Sequence, residues 1–131
     1  SAKTRQLVAQ RADFRCEYCR VQEADMFYAF QIEHIVAIKH GGGSELDNLA
    51  YACPHCNQHK GSDLVTFLID YDDLVAIYNP RKMDWSVHFE VDFGSIQAKT
   101  RIAEATIKLL YLNDPDLIIL RQLLAEIGHY P

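Results

Sequence analysis

The pattern of apolar and polar positions predicts a compact run of elements in the first half of the chain. Residues 26–38 are rich in aromatic and β-branched side chains, which favours an extended strand, and the glycines at 41–43 interrupt it. Residues 49–52 can form a second strand, and residues 53–64 are typical of a helix. With a short helix over 4–12, this half is predicted to run helix, strand, loop, strand, helix.

In the second half of the chain, the spacing of apolar residues predicts one strand and two helices. Residues 85–93 alternate apolar and polar side chains, as expected of a half-buried strand. Residues 100–112 place apolar side chains along one face of a helix. Asp114 and Pro115 then resemble an N-cap followed by proline at the first helical position, which opens a last helix that ends near Gly128. We interpret these two helices as structural.

The length of 131 residues and the 49% hydrophobic composition are typical of one globular domain. We expect a single domain over 1–131, with a core at about 12–65 and an extension of one strand and two helices at about 66–131. The longest aliphatic run, 117–120, is far below the roughly 20 residues that span a bilayer, and no apolar signal-peptide core begins the sequence. A cytoplasmic protein without a membrane partner is therefore expected.

The charge is unevenly distributed between the two halves. Residues 1–61 carry seven Lys/Arg against seven Asp/Glu, whereas residues 62–131 carry six against eleven, so the net charge of −5 comes from the second half (6 − 11 = −5). A protein that binds nucleic acid usually neutralises phosphates with lysine and arginine. This balance is compatible with a local phosphate-binding face in the first half, and it predicts weak, salt-sensitive binding.

All four cysteines fall into two Cys-x-x-Cys pairs, Cys16 with Cys19 and Cys53 with Cys56. Two such turns can direct four thiolates at one Zn²⁺ ion and complete its tetrahedral shell. The alternative is a pair of disulfides or a redox motif, which the absence of a secretion signal and of a thioredoxin-like pattern disfavours. We predict a structural zinc ion, because four thiolates leave no position for a reactive water.

Further candidate residues lie between and just after the cysteine pairs. Their order is Cys16-x-x-Cys19, Glu33-His34-Ile35, Leu46-Asp47-Asn48-Leu49 and Cys53-x-x-Cys56-Asn57-x-x-Lys60-Gly61. This order resembles the zinc-bound branch of the HNH (ββα-metal) endonuclease family. The resemblance implies an α+β fold, in which a ββα-metal core is stapled by the four-cysteine zinc site and a C-terminal strand and helices pack on that core.

The resemblance also implies a role for each matching position. His34 corresponds to the general base that takes a proton from the attacking water, and Asn48 to the asparagine that ties the loop to the backbone and steadies the His34 strand. Glu33 and Asn57 correspond to the ligands of a catalytic divalent ion. Lys60 corresponds to a basic residue near the phosphate.

The chemistry of these side chains refines the expectation. Carboxylate and amide oxygens are ligands that Mg²⁺ or Mn²⁺ prefers, so Glu33 and Asn57 favour one of these ions. Neighbours on a strand point to opposite faces, so Glu33 and His34 reach one phosphate only with a local twist or with backbone contributions. Lys39 joins Lys60 as a candidate phosphate contact.

Other residues receive less specific interpretations. His40, His55 and His59 match no catalytic position and are interpreted as surface histidines, with His59 as the reserve metal ligand. Downstream, a set of residues resembles a segment that accompanies the HNH core in one bacterial subgroup: Tyr78-Asn79-Pro80-Arg81, Trp85, His88-Phe89 and 100–113. Trp85 and Phe89 are interpreted as core, and Arg81 and Lys82 as weak candidates for backbone contact.

The sequence thus predicts a metal-dependent endonuclease that hydrolyses DNA, with RNA as the other possible substrate, and the resemblance implies 5′-phosphate and 3′-hydroxyl products. Two alternatives remain open. One is a non-catalytic zinc-stapled module that binds nucleic acid, which would need no Glu33, His34 or Asn57. The other is a zinc-stapled protein-interaction domain, which the acidic balance favours.

Overall fold

The computed structural model describes all 131 residues. The elements, in chain order, are α1 Ala2–Arg11, β1 Gln31–His34, β2 Leu49–Ala52, α2 Pro54–Lys60, β3 Val65–Leu68, β4 Asp73–Ala76, α3 Trp85–His88, β5 Phe89–Asp92, β6 Ser95–Ala98, α4 Arg101–Leu109 and α5 Pro115–Glu126. No helix combines the length and the apolar composition that crossing a membrane requires.

The six strands form three separate antiparallel hairpins. In the first hairpin Gln31 pairs with Ala52 and His34 with Leu49, and α2 follows directly, which gives the predicted strand, strand, helix order. Helix α2 begins with Pro54 at its first position and with Cys53 as its N-cap, whose sulfur accepts from the Cys56 N–H. The fold is α+β, as predicted.

Three predicted boundaries are wrong. The strand predicted over 26–38 is confined to β1, because residues 26–30 and 35–40 run as turns and a single helical turn. The helix predicted to reach Leu64 ends at Lys60. The strand predicted over 85–93 begins with the helical turn α3, and the sequence pattern predicts none of β3, β4 and β6.

A continuous apolar core joins the two halves of the chain. All four residues of β2 are buried, and α1 packs Val8 and Ala9 against that strand. Helix α4 packs on the β3–β4 hairpin and on β6. The rings of Tyr18 and Tyr78 meet edge to face with centroids 6.4 Å apart, which links the first Cys-x-x-Cys turn to the second half.

Residues 128–131, which we call the tail, return to the first Cys-x-x-Cys turn. The Tyr130 hydroxyl donates to the Cys19 carbonyl (2.8 Å), and the Gln22 side chain donates to the His129 carbonyl (3.0 Å). His129 also lies 3.0 Å from the Asp25 carboxylate. The tail therefore covers the turn that carries two of the four cysteines.

Candidate metal centre and active site

The four cysteine sulfurs converge on one buried point. Every pair of Sγ atoms lies within 4.8 Å, and Cys19 Sγ is 3.8 Å from Cys53 Sγ. Four thiolates at about 2.3 Å from one tetrahedral ion would lie about 3.8 Å apart, so the cluster fits Zn²⁺. Backbone N–H groups of Cys19 and Cys56 point at the sulfurs of Cys16 and Cys53 (3.5 and 3.4 Å).

The donor set determines what such an ion does. All four cysteines are buried and none is joined in a disulfide, so four thiolates would close the shell. The cluster is compatible with a zinc site that holds β2, α2 and the first Cys-x-x-Cys turn together. It offers no open coordination position for substrate.

His34 ends β1 and lies between two open depressions. One depression, of about 260 Å³, which we call the His34 depression, is lined by His34, Asn57, Ile38, Gly61 and Ser62 among others. The other, of about 250 Å³, is lined by His34, Ser44, Arg5 and residues at the start of α1. A hydrogen bond joins His34 Nε2 to Ser44 Oγ (3.0 Å), which fixes the ring and leaves Nδ1 without a partner in the protein.

The loop after β1 is held by Asn48. Its Oδ1 accepts from the Val36 N–H (3.0 Å), and its Nδ2 donates to the carbonyls of Val36 (2.9 Å) and Gly43 (2.7 Å). Gly42 is required here, since a Cβ would lie 1.8 Å from the Val36 carbonyl oxygen. Asn48 thus ties both ends of the loop together and fixes the chain that leaves His34.

Asn57 lies on α2, one residue after the last cysteine. Its Nδ2 donates to Gln31 Oε1 (2.5 Å), so the amide is held with Oδ1 unpartnered, and the residue lines the His34 depression. A free amide oxygen of this kind is a suitable ligand for Mg²⁺ or Mn²⁺. Asn57 therefore meets the requirement for a ligand of a divalent ion.

Glu33 does not meet that requirement in this arrangement. Glu33 borders the same depression as His34, but its side chain is only 3% exposed. Its carboxylate is ion-paired with the Lys60 ammonium and accepts from the Tyr18 hydroxyl (2.7 Å). Burial raises the pKa of the Glu33 carboxyl, while Lys60 and Tyr18 lower it in part. Burial and the Glu33 carboxylate together raise the Tyr18 pKa well above its usual value.

Lys60 is likewise internal, with a side chain only 1% exposed. Besides pairing with Glu33, its ammonium donates to the carbonyl of Ile35 (2.9 Å) and lies 3.3 Å from the carbonyl of His34. A phosphate contact by Lys60 does not fit this position. The lysine instead holds the end of β1 against α2, so it positions the backbone of His34.

The remaining candidates lie apart from the His34 depression. Lys39 and His40 are exposed on the loop after β1. His55 and His59 stack with ring centroids 4.1 Å apart, and His55 Nε2 contacts the carbonyls of Leu110 and Tyr111 (both 2.9 Å). Arg81 is ion-paired with Glu17 and donates to the Leu49 carbonyl (3.0 Å), so it contacts the protein itself.

Two residues of the site are not singled out by the sequence. Ser44 and Gln31 fix the side chains of His34 and Asn57, yet each belongs to a residue type common on any surface. Gln31 pairs with Ala52 in the first hairpin, which brings it close to the start of α2 only once the two strands are in register. Neither residue belongs to a sequence motif whose spacing would identify it as part of the site.

One comparison with known proteins agrees with this geometry. Residues 16–63 match the family model described as HNH endonuclease. No match was found among curated proteins or among solved structures. The matched segment contains both Cys-x-x-Cys turns, β1, β2, α2 and the His34 depression. Residues 16–63, which we call the HNH-family segment after this match, are therefore similar to HNH endonucleases and are built around a four-cysteine cluster compatible with zinc.

Proposed function

We propose that the protein is an endonuclease that hydrolyses DNA phosphodiester bonds, with His34 as the general base. The observation that carries the proposal is that His34 and Asn57 line the same open depression in the segment that matches HNH endonucleases, with the Asn57 amide oxygen unpartnered. The family implies a nucleic-acid substrate, and RNA is the second candidate.

The hydrogen bond to Ser44 supports a role for His34 Nδ1. When Nε2 carries the ring proton and donates a hydrogen bond to Ser44 Oγ, Nδ1 keeps a lone pair that accepts a proton from water. The resulting hydroxide attacks phosphorus, the bond from phosphorus to the 3′ oxygen breaks, and that oxygen takes a proton from solvent. The products are a 5′-phosphate and a 3′-hydroxyl.

The proposal includes one divalent cation, Mg²⁺ or Mn²⁺, which when bound stabilises charge on the departing oxygen. Asn57 supports it with an unpartnered oxygen, whereas the Glu33 carboxylate is held by Lys60 and Tyr18. The metal requirement therefore rests on Asn57 and on the family, and adding each ion separately tests it.

The test is cleavage of supercoiled plasmid at low salt with Mg²⁺, Mn²⁺ or no added ion. We expect His34→Ala to lose at least about 100-fold in rate, the usual contribution of a general base. His40→Ala is the matched control, because His40 is an exposed histidine on the following loop whose side chain makes no hydrogen bond, and the rate of this variant should equal that of the wild type. Cutting by His34→Ala at the rate of His40→Ala would contradict the mechanism.

One observation favours a second candidate, a non-catalytic zinc-stapled module that binds nucleic acid or protein. The carboxylate expected to hold the catalytic ion is buried in an internal ion pair. Binding of DNA or RNA without cleavage under any of these ion conditions, and unchanged by His34→Ala, would support this candidate. Zinc content measured on the same samples shows whether each preparation is folded around its metal.

A further inference from the structure

Two arginines flank the first Cys-x-x-Cys turn and share a depression that is separate from the His34 site. Arg15 precedes Cys16 and Arg20 follows Cys19. With Trp85 and Pro131 they line an open depression of about 260 Å³. No residue of this depression lines either depression beside His34.

Neither guanidinium has a carboxylate partner. The four ion pairs of the protein involve other cations, and the Arg20 side chain makes no hydrogen bond. Arg15 donates one bond, to the Arg20 carbonyl (3.0 Å), and keeps its other N–H groups free. Of the nearby acids, Glu17 is paired with Arg81, Asp25 is paired with His129, and Asp84 is exposed and pairs with neither arginine.

Arg20 is held over an aromatic ring that is itself fixed. Its guanidinium carbon lies 5.3 Å from the centroid of Trp85. The Trp85 indole N–H donates to the Tyr18 carbonyl (2.8 Å), and the indole stacks on Phe89 with centroids 4.9 Å apart. Trp85 therefore already packs against Arg20 and Phe89, and the polar groups that the depression offers are the N–H donors of the two arginines.

The backbone of Arg20 is also informative. Its φ of +72° lies in the left-handed region, where glycine or asparagine is the favoured residue. Six non-glycine residues of this chain have a positive φ, so the conformation describes the turn and does not by itself assign a role to the side chain. Two guanidiniums without carboxylate partners in one depression suit the oxygens of a phosphate group, which arginine binds through two parallel hydrogen bonds.

We propose that Arg15 and Arg20 bind a phosphate of the nucleic-acid backbone, at a contact separate from the His34 site. The inference rests on the proposed function in that it takes nucleic acid as the substrate. Such a contact carries no sequence information and positions the nucleic acid on the protein. It also gives this acidic chain a local cationic contact in its first half, where positive and negative residues are balanced.

The test measures binding of a fluorescent 20-base-pair DNA by anisotropy at several salt concentrations, with every protein carrying His34→Ala so that the DNA stays intact. We compare Arg15→Gln/Arg20→Gln with Arg101→Gln. Arg101 is the matched control, because its guanidinium also lies over an aromatic ring, Tyr71 (3.8 Å), but in the second half of the chain. Removing one phosphate-binding side chain should reduce the slope of log affinity against log salt by about 1.

We expect the double variant to reduce this slope by about 1, as for one phosphate, and Arg101→Gln to leave it unchanged. Arg20→Asn separates binding from folding, because asparagine suits the left-handed backbone, so this variant should keep its zinc and melting temperature yet bind DNA more weakly. A double variant with the slope of Arg101→Gln would overturn the inference.

The two proposals fail in different ways. If the protein with intact His34 does not cut DNA but its binding depends on Arg15 and Arg20, the inference stands and the nuclease proposal falls. If the protein cuts DNA and the double variant binds and cuts as the wild type does, the nuclease proposal stands and the inference falls.

Discussion

The HNH-family segment and the part of the chain that follows it are stabilised in different ways. Within residues 16–63, strands of four residues are held by the cysteine cluster and by buried polar side chains, namely Glu17, Glu33 and Lys60. Beyond residue 63, helices α4 and α5 pack apolar side chains, and Thr106 and Arg121 are the buried polar residues. The candidate site therefore lies in the part that contains the cysteine cluster and most of the buried charged side chains.

This difference explains how the site keeps a fixed geometry with so little regular structure. A short hairpin is only marginally stable by itself, so the ends of β1 and β2 need other restraints. Lys60 holds the carbonyls at the end of β1, and Asn48 closes the loop that follows. The second half supplies an apolar support, and its contacts with the site run through residues such as Arg81 and Trp85.

Among the variants considered, disruption of the cysteine cluster should reduce the stability of the first half the most. Cys16→Ser removes one thiolate, and structural zinc sites contribute about 10 kcal/mol or more of folding free energy. We expect the variant to hold less zinc and to lose the fold of the first half, as measured by zinc content and by amide hydrogen exchange. Full zinc binding and an unchanged melting temperature in Cys16→Ser would show that the cluster does not hold the segment together.

Breaking the buried ion pair should have the next largest effect. Lys60→Met leaves the Glu33 carboxylate buried without its partner, and we expect a loss of about 3–5 kcal/mol in the free energy of unfolding, measured with denaturant. Glu33→Gln/Lys60→Met removes both charges and should recover most of that loss. Lys39→Met, at an exposed lysine, is the control and should be near neutral. Equal stability of Lys60→Met and Lys39→Met would contradict the role given to the pair.

An apolar truncation tests the second half. Leu110 is fully buried, so Leu110→Ala should lower the free energy of unfolding by about 2–5 kcal/mol. Leu123→Ala is the control, because Leu123 is 57% exposed. If the two halves are stabilised as described, Leu110→Ala keeps its zinc content and its cleavage rate per folded molecule. A variant that loses zinc in proportion to stability would indicate that the halves are not separable in this way.

The smallest expected change concerns the loop after β1. Asn48→Ala removes three hydrogen bonds to backbone groups and should cost about 1–3 kcal/mol of stability. Cleavage by the folded fraction should fall as well, because the chain that leaves His34 is released. Asp47→Ala, at the exposed neighbouring residue, should change neither quantity. A loss of stability with full cleavage would limit Asn48 to a structural role.

The sequence predicts the parts of the fold that local chemistry specifies. Asp114 caps α5 as predicted, and β2 spans the predicted residues. The helix predicted over 100–112 is present as α4, with Thr100 as its N-cap. The strand predicted over 85–93 is wrong at its start, because residues 85–88 form the helical turn α3. In this turn the indole N–H of Trp85 donates to the Tyr18 carbonyl, a contact between residues far apart in sequence. The β3–β4 hairpin is not predicted because most of its apolar side chains are exposed, and buried and exposed positions do not alternate along either strand.

The candidate site is predictable only in outline. The motif order predicts His34, Asn48 and Asn57 as site residues, and the spacing of the four cysteines predicts that they cluster as a metal site. Nothing in the sequence predicts that the Lys60 side chain is buried, because lysine is rarely buried and the family resemblance implies a different role, as a metal ligand, for its partner Glu33. Whether a charged side chain points to solvent or to an internal partner depends on tertiary packing, which periodicity does not encode.

The tail gives the first Cys-x-x-Cys turn a partner 111 positions away along the chain. Closing so long a loop is entropically unfavourable until both of its ends are ordered, so this contact belongs among the late events of folding. The amide groups of residues 128–130 should therefore exchange with solvent deuterium faster whenever the cysteine cluster is disturbed. A few residues remote in sequence from every cysteine thus become a reporter of the metal's occupancy.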